Sequence, residues 1–284
     1  TKYTAVTRFF RAFFYFEKVK RFGDVPWYDI QLGSADELLY KPRDSRELIL
    51  TKMLEDIDYA INSGGLTESA ADPYHVNKWA ALALKAQFCL YEGTYRKYHN
   101  LNLDGHDANF YLDLAAKAAL EIIEKGPYKL YQTGHPEKDY LTLFAQKDAS
   151  PEEYILAIKF DYAIGARHNA SAYTLLPTQG RPGLTRKFIN TYLMDNGTAF
   201  TDKPGWQEMQ FIEETDGRDP RLAQSIRATR ESDRPKSKGR CSKLPSPATS
   251  PSSSYRTPRP TATTTTVWTL RTAICPSTAS AKCC

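Results

Sequence analysis

The sequence predicts a mainly α-helical body of antiparallel helix pairs stacked in the tetratricopeptide manner, with a loop-rich region and one short strand following them. Three observations predict it. Apolar residues recur at three- and four-residue intervals in long stretches of the first half. Capping residues and Gly or Pro stops bracket those stretches. The composition, 41% hydrophobic and 12% aromatic over 284 residues, suffices for a packed core and excludes global disorder.

The first helix is expected from about Ala5 to Arg21. Val6, Phe9, Phe10, Phe13, Phe14, Phe16 and Val19 form a wide apolar arc, and Gly23 and Pro26 end it. A capping-box pair, Asp44 with Glu47, announces the second. It carries Ile49, Met53, Ile57 and Ile61 at four-residue intervals before Asn62, Gly64 and Gly65. Asn77 caps the third, whose face is Trp79, Leu82, Ala83, Ala86 and Leu90 and which runs on toward His99. The fourth follows Asn109 with Leu112, Ala115, Ala116, Ala119, Ile122 and Ile123, and stops at Gly126-Pro127. Small residues at contact positions let helix axes approach closely, which favours stacked pairs, although the strict tetratricopeptide consensus is absent. Tyr154 to Ile158 alternates as a short strand. Residues 161–183 are rich in Gly and Pro and read as loop, and a helix is expected around Arg186–Met194 before Asn196-Gly197.

Charge and cysteines divide the chain. The last acidic residue is Asp233 and nine Lys or Arg follow it, so residues 1–233 hold 29 basic and 33 acidic side chains. The overall charge of +5 therefore belongs to the tail, and no nucleic-acid partner is expected for the body. Cys89 stands alone in the body while Cys241, Cys275, Cys283 and Cys284 lie in the tail, which gives neither a disulfide framework nor zinc spacing. From Cys241 to Cys284, Ser, Thr and Pro make up 24 of 44 residues with no Asp or Glu. Residues 228–284 are accordingly expected to be a disordered low-complexity tail.

Ordered motifs along the body carry a family resemblance. Phe10-Arg11-Ala12-Phe13-Phe14-Tyr15-Phe16 precedes Arg21-Phe22-Gly23-Asp24-Val25-Pro26; Lys78-Trp79-Ala80-Ala81 leads to Leu90-Tyr91-Glu92-Gly93. After Tyr111-Leu112 come Ala115-Ala116, Gly126-Pro127-Tyr128-Lys129-Leu130, Tyr140, Leu143-Phe144, Glu153 to Ile158, and Asp216-Gly217-Arg218-Asp219-Pro220-Arg221. Over residues 5 to 227 this set resembles the SusD/RagB family of outer-membrane nutrient-binding lipoproteins. The resemblance makes residues 1–227 a partial helical domain of that family. It implies an N-terminally truncated fragment whose signal peptide, lipid anchor and first helices are missing. In place of the family's continuation after Asp-Pro-Arg stands the tail. Back-translation in another frame permits Thr-Gly-Tyr-Gln within Ser246–Ser253 and Asp-Leu-Pro-Ile-Tyr-Arg within Thr272–Cys284, so a frameshift near Arg227–Arg240 is expected.

The resemblance implies a non-catalytic glycan-binding protein on the outward-facing surface of the outer membrane. Its partner would be a SusC-like TonB-dependent transporter, and no cofactor or metal is expected. Two other readings stay open, a helical-repeat adaptor for protein segments and a glycan-cleaving enzyme. The sequence has no nucleophile elbow, phosphate loop or His-Glu-x-x-His pattern, and His75, His99, His106, His135 and His168 are scattered. Asn100, Asn102, Asp104, Gly105 and Asp107 start like a calcium loop, but Tyr111 stands where a bidentate Glu is needed. Asp24 is expected to fix the turn after the first helix. Sugar rings present apolar C–H faces edged by hydroxyls, so glycan sites pair an aromatic platform with polar side chains. The candidate platforms outside helices are Trp27, Tyr28, Tyr162, Tyr173 and Trp206, with Arg167, His168 and Asn169 as hydroxyl partners. Trp79 and the Phe9–Phe16 cluster are expected in the core.

Overall fold

The computed structural model describes residues 1–103, 105–161, 163–166, 168–170, 178 and 183–226, together with the backbone of Trp268–Thr269. The tail expected at 228–284 lies outside the described residues except for that two-residue strand. Two compact units emerge, the first formed by Thr1–Leu130 and Ser150–Ile158 with that strand, the second by Tyr131–Ala149 and the described residues beyond Lys159.

In the first unit, helix α1 (Lys2–Phe22) buries Ala5, Phe9, Ala12, Phe16 and Val19 at three- and four-residue spacing. Gly23, at φ 67°, ends it by donating its N–H to Val19 O at 3.0 Å. The expected aromatic cluster divides. Phe9 and Phe16 are core, Phe13 is half-buried, and Phe10 and Phe14 are 51% and 53% exposed. An apolar arc wider than one neighbour can cover leaves its edge outside.

Helix α2 (Arg46–Asn62) starts one residue later than the expected cap. Ser45 Oγ accepts from Leu48 N at 3.3 Å, while the Asp44 carboxylate accepts from Trp27 N at 2.6 Å and Lys41 Nζ at 2.7 Å. Asp24 acts through its side chain, accepting from Arg46 N at 2.9 Å, so the turn after α1 is tied to the start of α2. The isolated bridge between Val25 and Asp44 closes the same junction, and Gly65 lies against Thr1 at the far end, so α1 and α2 run antiparallel.

Helix α3 (Lys78–His99) is capped as expected by Asn77, whose Oδ1 accepts from Ala80 N at 2.8 Å. Its small residues have the anticipated use. A Cβ added to Gly93 would stand 2.7 Å from Leu112 Cγ and 3.1 Å from Ala108 O, so only glycine permits that approach to helix α4 (Ala108–Lys125). Cys89 lies on the buried side of α3, where burial pushes its thiol pKa up. Asp107, not Asn109, caps α4, and its buried face is Tyr111, Ala115, Ala118 and Ile122, with Ile123 outside. Asn100 ends α3 in the left-handed conformation, so two residues of the calcium-like segment serve helix ends. Among the described residues no group of His, Cys, Asp and Glu is arranged to hold a metal, and no helix is long and apolar enough to cross a membrane.

A buried ionic network ties α2, α3 and the entry to α4. Glu92, fully buried, accepts from Arg46 Nη2 at 2.6 Å and from Arg96 Nε at 2.8 Å. Arg96, also fully buried, donates onward to Glu47 and to the His106 carbonyl, and His106 Nδ1 lies 2.6 Å from Glu47 Oε1. Such charges are costly to desolvate and are tolerated because each faces an opposite charge: Glu92 and Arg96 have two partners each, and Arg46 meets Glu92 through both Nε and Nη2. Strand β1 (Tyr154–Leu156), two residues shorter than expected, pairs antiparallel with β2 (Trp268–Thr269) and continues to Ala157, whose N–H reaches Pro73 O at 2.8 Å.

The described residues of the second unit form short helices joined by turns. Helix α5 (Pro136–Ala145) packs on helix α7 (Pro220–Ser225) through Gln224, whose Oε1 accepts from Leu141 N at 2.8 Å and whose Nε2 donates to Pro136 O at 2.9 Å. Between them the expected helix at Arg186–Met194 is the single turn α6 (Arg186–Ile189), since Asn190 onward enters turns and bridges. Arg218 centres this region. It is 6% exposed and donates to the carbonyls of Glu214, Ile189 and Tyr192 at 2.7–2.8 Å, with its guanidinium 3.9 Å from the Phe200 ring centroid. Burial lowers its pKa, and the Glu214 charge opposes that.

Candidate functional site

A groove in the second unit, among the described residues, is lined in part by one of the candidate platforms, Trp206. Gly205, at φ 72°, turns the chain into the 3-10 turn Trp206–Glu208 and presents the half-buried Trp206. Its ring meets Phe200 edge-on, with centroids 6.1 Å apart, and lies 5.7 Å from the Arg186 guanidinium. Arg186 Nη2 donates to the carbonyls of Trp206 at 3.1 Å and Gln207 at 2.9 Å and pairs with the Glu214 carboxylate. Because Arg218 holds both the Glu214 carbonyl and the face of Phe200, the contacts close a circuit through Arg218, Phe200, Trp206, Arg186 and Glu214. A platform fixed on several sides loses little side-chain freedom on binding.

The groove has a volume of about 520 Å³ and is bordered by α6 and the Trp206 turn, with Asn190, Thr191 and Thr201 also on its lining. That volume is in the range of small-ligand clefts. Asn190 Oδ1 is buried without a hydrogen-bond partner among the described residues, an acceptor that a water or hydroxyl would satisfy. Lys187 is exposed on the same lining and makes no hydrogen bond or ion pair among the described residues. An indole face edged by amide, hydroxyl and cationic groups can stack on a sugar ring and bond its hydroxyls.

None of the other sequence candidates among the described residues lines the groove. Trp27 is overturned as an exposed platform. It is 7% exposed, its ring centroid lies 4.2 Å from that of Tyr15, and the Arg11 guanidinium stands 5.0 Å from it. The turn after α1 folds back on α1 because Asp24 and Asp44 tie it to the start of α2, and this buries the indole. Tyr28, half-buried, donates its hydroxyl to Leu38 O at 2.7 Å and lies under Lys41 Nζ, 4.9 Å from its ring. His168 packs edge-on to Phe160 at 4.8 Å and its Nδ1 accepts from Ala170 N at 3.3 Å; Asn169 is exposed; neither lines the groove. Tyr162, Arg167 and Tyr173 lie outside the described residues. The sequence reading missed Arg186, Lys187, Asn190 and Thr191 as site residues. The Pro204-Gly205-Trp206 turn was visible, but nothing local shows that α6 faces it across some twenty residues.

Solved structures share this arrangement of elements. A SusD-like protein from Bacteroides fragilis superposes with a TM-score of 0.56 at 24% identity, covering 79% of this chain and 43% of that one. A SusD-like carbohydrate-binding protein from the same organism gives 0.59 at 23% identity, over 78% and 39%. The fold is SusD-like. A third structure, crystallised with xylogluco-oligosaccharide, gives 0.51 at 20% identity, over 69% and 38%. The SusD-like chain thus spans about two fifths of the length of these structures. No family model and no curated protein matches it. The motifs that carried the resemblance set its turns and caps: Gly23 ends α1, Gly126 ends α4, Arg218 centres the second unit, and Asp219 with Pro220 starts α7.

Proposed function

We propose that the chain is part of a non-catalytic SusD/RagB-family protein that captures oligosaccharide at the outward-facing surface of the outer membrane and passes it to a SusC-like TonB-dependent transporter. The SusD-like fold carries the reading, and the fixed Trp206 in its groove supplies a place for a sugar ring. A carbohydrate-binding protein and a protein crystallised with an oligosaccharide among the structures of like fold support the ligand class. The anchor to the membrane, through a lipid carried by a preceding segment, and the transporter pairing rest on the sequence resemblance.

Calorimetry of the full chain against neutral and acidic oligosaccharides tests this. Binding is expected without release of reducing ends. Trp206→Ala is expected to weaken it by about 1–3 kcal/mol while leaving the thermal midpoint nearly unchanged. A folded chain that binds no glycan, or that cleaves one, overturns the reading.

A further inference from the structure

The charged side chains on the groove's described lining are of one sign. That lining carries two cations, Arg186 and Lys187, and among the described residues no carboxylate. Glu214 offsets Arg186 from the side away from solvent, with only 9% of its side chain exposed. Nothing among the described residues offsets Lys187, which neither bonds nor pairs. Among the described residues Arg186 makes its hydrogen bonds through Nη2 alone, so the N–H groups on Nε and Nη1 have no partner there. A sugar stacked on Trp206 displaces water from beside these donors. Neutral hydroxyls satisfy the hydrogen bonds but leave the lysine charge less hydrated and unpaired, whereas an anionic substituent meets both demands.

Resting on the oligosaccharide reading above, we infer that the groove prefers a glycan bearing an anionic group, a uronate carboxylate or a sulfate ester, which Lys187 and the outer edge of Arg186 receive while Trp206 carries a ring. Because Lys187 is exposed, the preference is modest and sensitive to salt.

The test titrates the full chain with an oligogalacturonate, a sulfated galacto-oligosaccharide and a neutral xylogluco-oligosaccharide of matched length. At low salt at least one acidic ligand is expected to bind about fivefold more tightly than the neutral one, the upper end for an exposed ion pair, and the two acidic arms identify the substituent. The ratio is expected to shrink as salt passes ~0.15 M, where the screening length is about 8 Å. Lys187→Gln is expected to bring the ratio toward one, and Trp206→Ala to weaken acidic and neutral ligands by similar factors. Neutral ligand bound as tightly as both acidic ones, or a ratio that Lys187→Gln leaves unchanged, overturns this inference and leaves the oligosaccharide reading standing. A folded chain that binds none of the three overturns both.

Discussion

The two units hold themselves together by different means. The first is a helical frame in which apolar faces meet at regular spacing and a ring of buried charges pins α2, α3 and the entry to α4. The second has a small apolar cluster, Ile189, Leu222 and Ile226 with Tyr192 and Phe211, and relies on one arginine bonded to three carbonyls. Regular helices satisfy their own backbone and leave side chains to pack; turns leave carbonyls over, which a buried side chain must then collect. The groove lies in the unit built the second way, consistent with binding residues being carried on loops held by a rigid support.

The largest expected effect breaks the first unit. Glu92→Ala strands both Arg46 and Arg96 in the core and is expected to destabilise it by about 3–5 kcal/mol, measured by urea denaturation. A loss below about 1 kcal/mol would mean that Glu47 alone compensates both arginines. Next, Arg218→Ala leaves three carbonyls and the Phe200 face without their partner, for an expected cost of about 2–4 kcal/mol. The loss of amide-exchange protection should be confined to the second unit, 183–226 and α5; loss spread equally over α1 to α4 would break the contrast between the units. The smallest effect sharpens it with pH. The Lys41 ammonium and the Trp27 N–H hold the Asp44 carboxyl below its usual range in the first unit; in the second, the Thr133 hydroxyl and N–H do the same for Asp139. A depressed carboxylate adds stability that is present above the ordinary value, about 3.9, and lost as pH falls through the folded one. The parent's melting temperature should therefore fall on acidification below about pH 4, and less steeply in Asp44→Asn or Asp139→Asn. Equal slopes in parent and variants would show that neither carboxylate is linked to folding.

The first unit was largely legible in the sequence, because periodicity and caps are local signals. Asn77 and the small residues of α3 were found in place. The errors there are shifts of one or two residues at caps and strand ends, and misjudged exposure. Periodicity shows that Phe10 and Phe14 lie on an apolar arc but not which edge a neighbour covers, and Trp27 looked exposed because a turn after a helix gives no sign that it folds back. The second unit was not legible. Helix α5 was missed although Pro136, Glu137 and Asp139 suit a first turn, and α6 was drawn too long because its end is set by bonds from Asp219 and Arg218, some thirty residues on. The Asp-Gly-Arg-Asp-Pro-Arg run was recognised without its work being understood. Of the candidate site, Trp206 was named from the sequence as a loop aromatic and lies on the groove lining, while its neighbours on α6 needed three dimensions.

The position of Cys89 makes the helical frame its own stopwatch. A thiol on the buried face of α3, with its pKa raised by burial, cannot meet an alkylating reagent until that helix pair opens. When closing outruns alkylation, the labelling rate at this one sulfur, isolated by peptide mapping from the tail cysteines, is the rate of the exposed thiol multiplied by the fraction of time the frame spends open. Ligand added to the groove would slow that clock only if occupancy in one unit steadies the other, so a single mass-spectrometric trace would reveal whether binding is felt across the molecule.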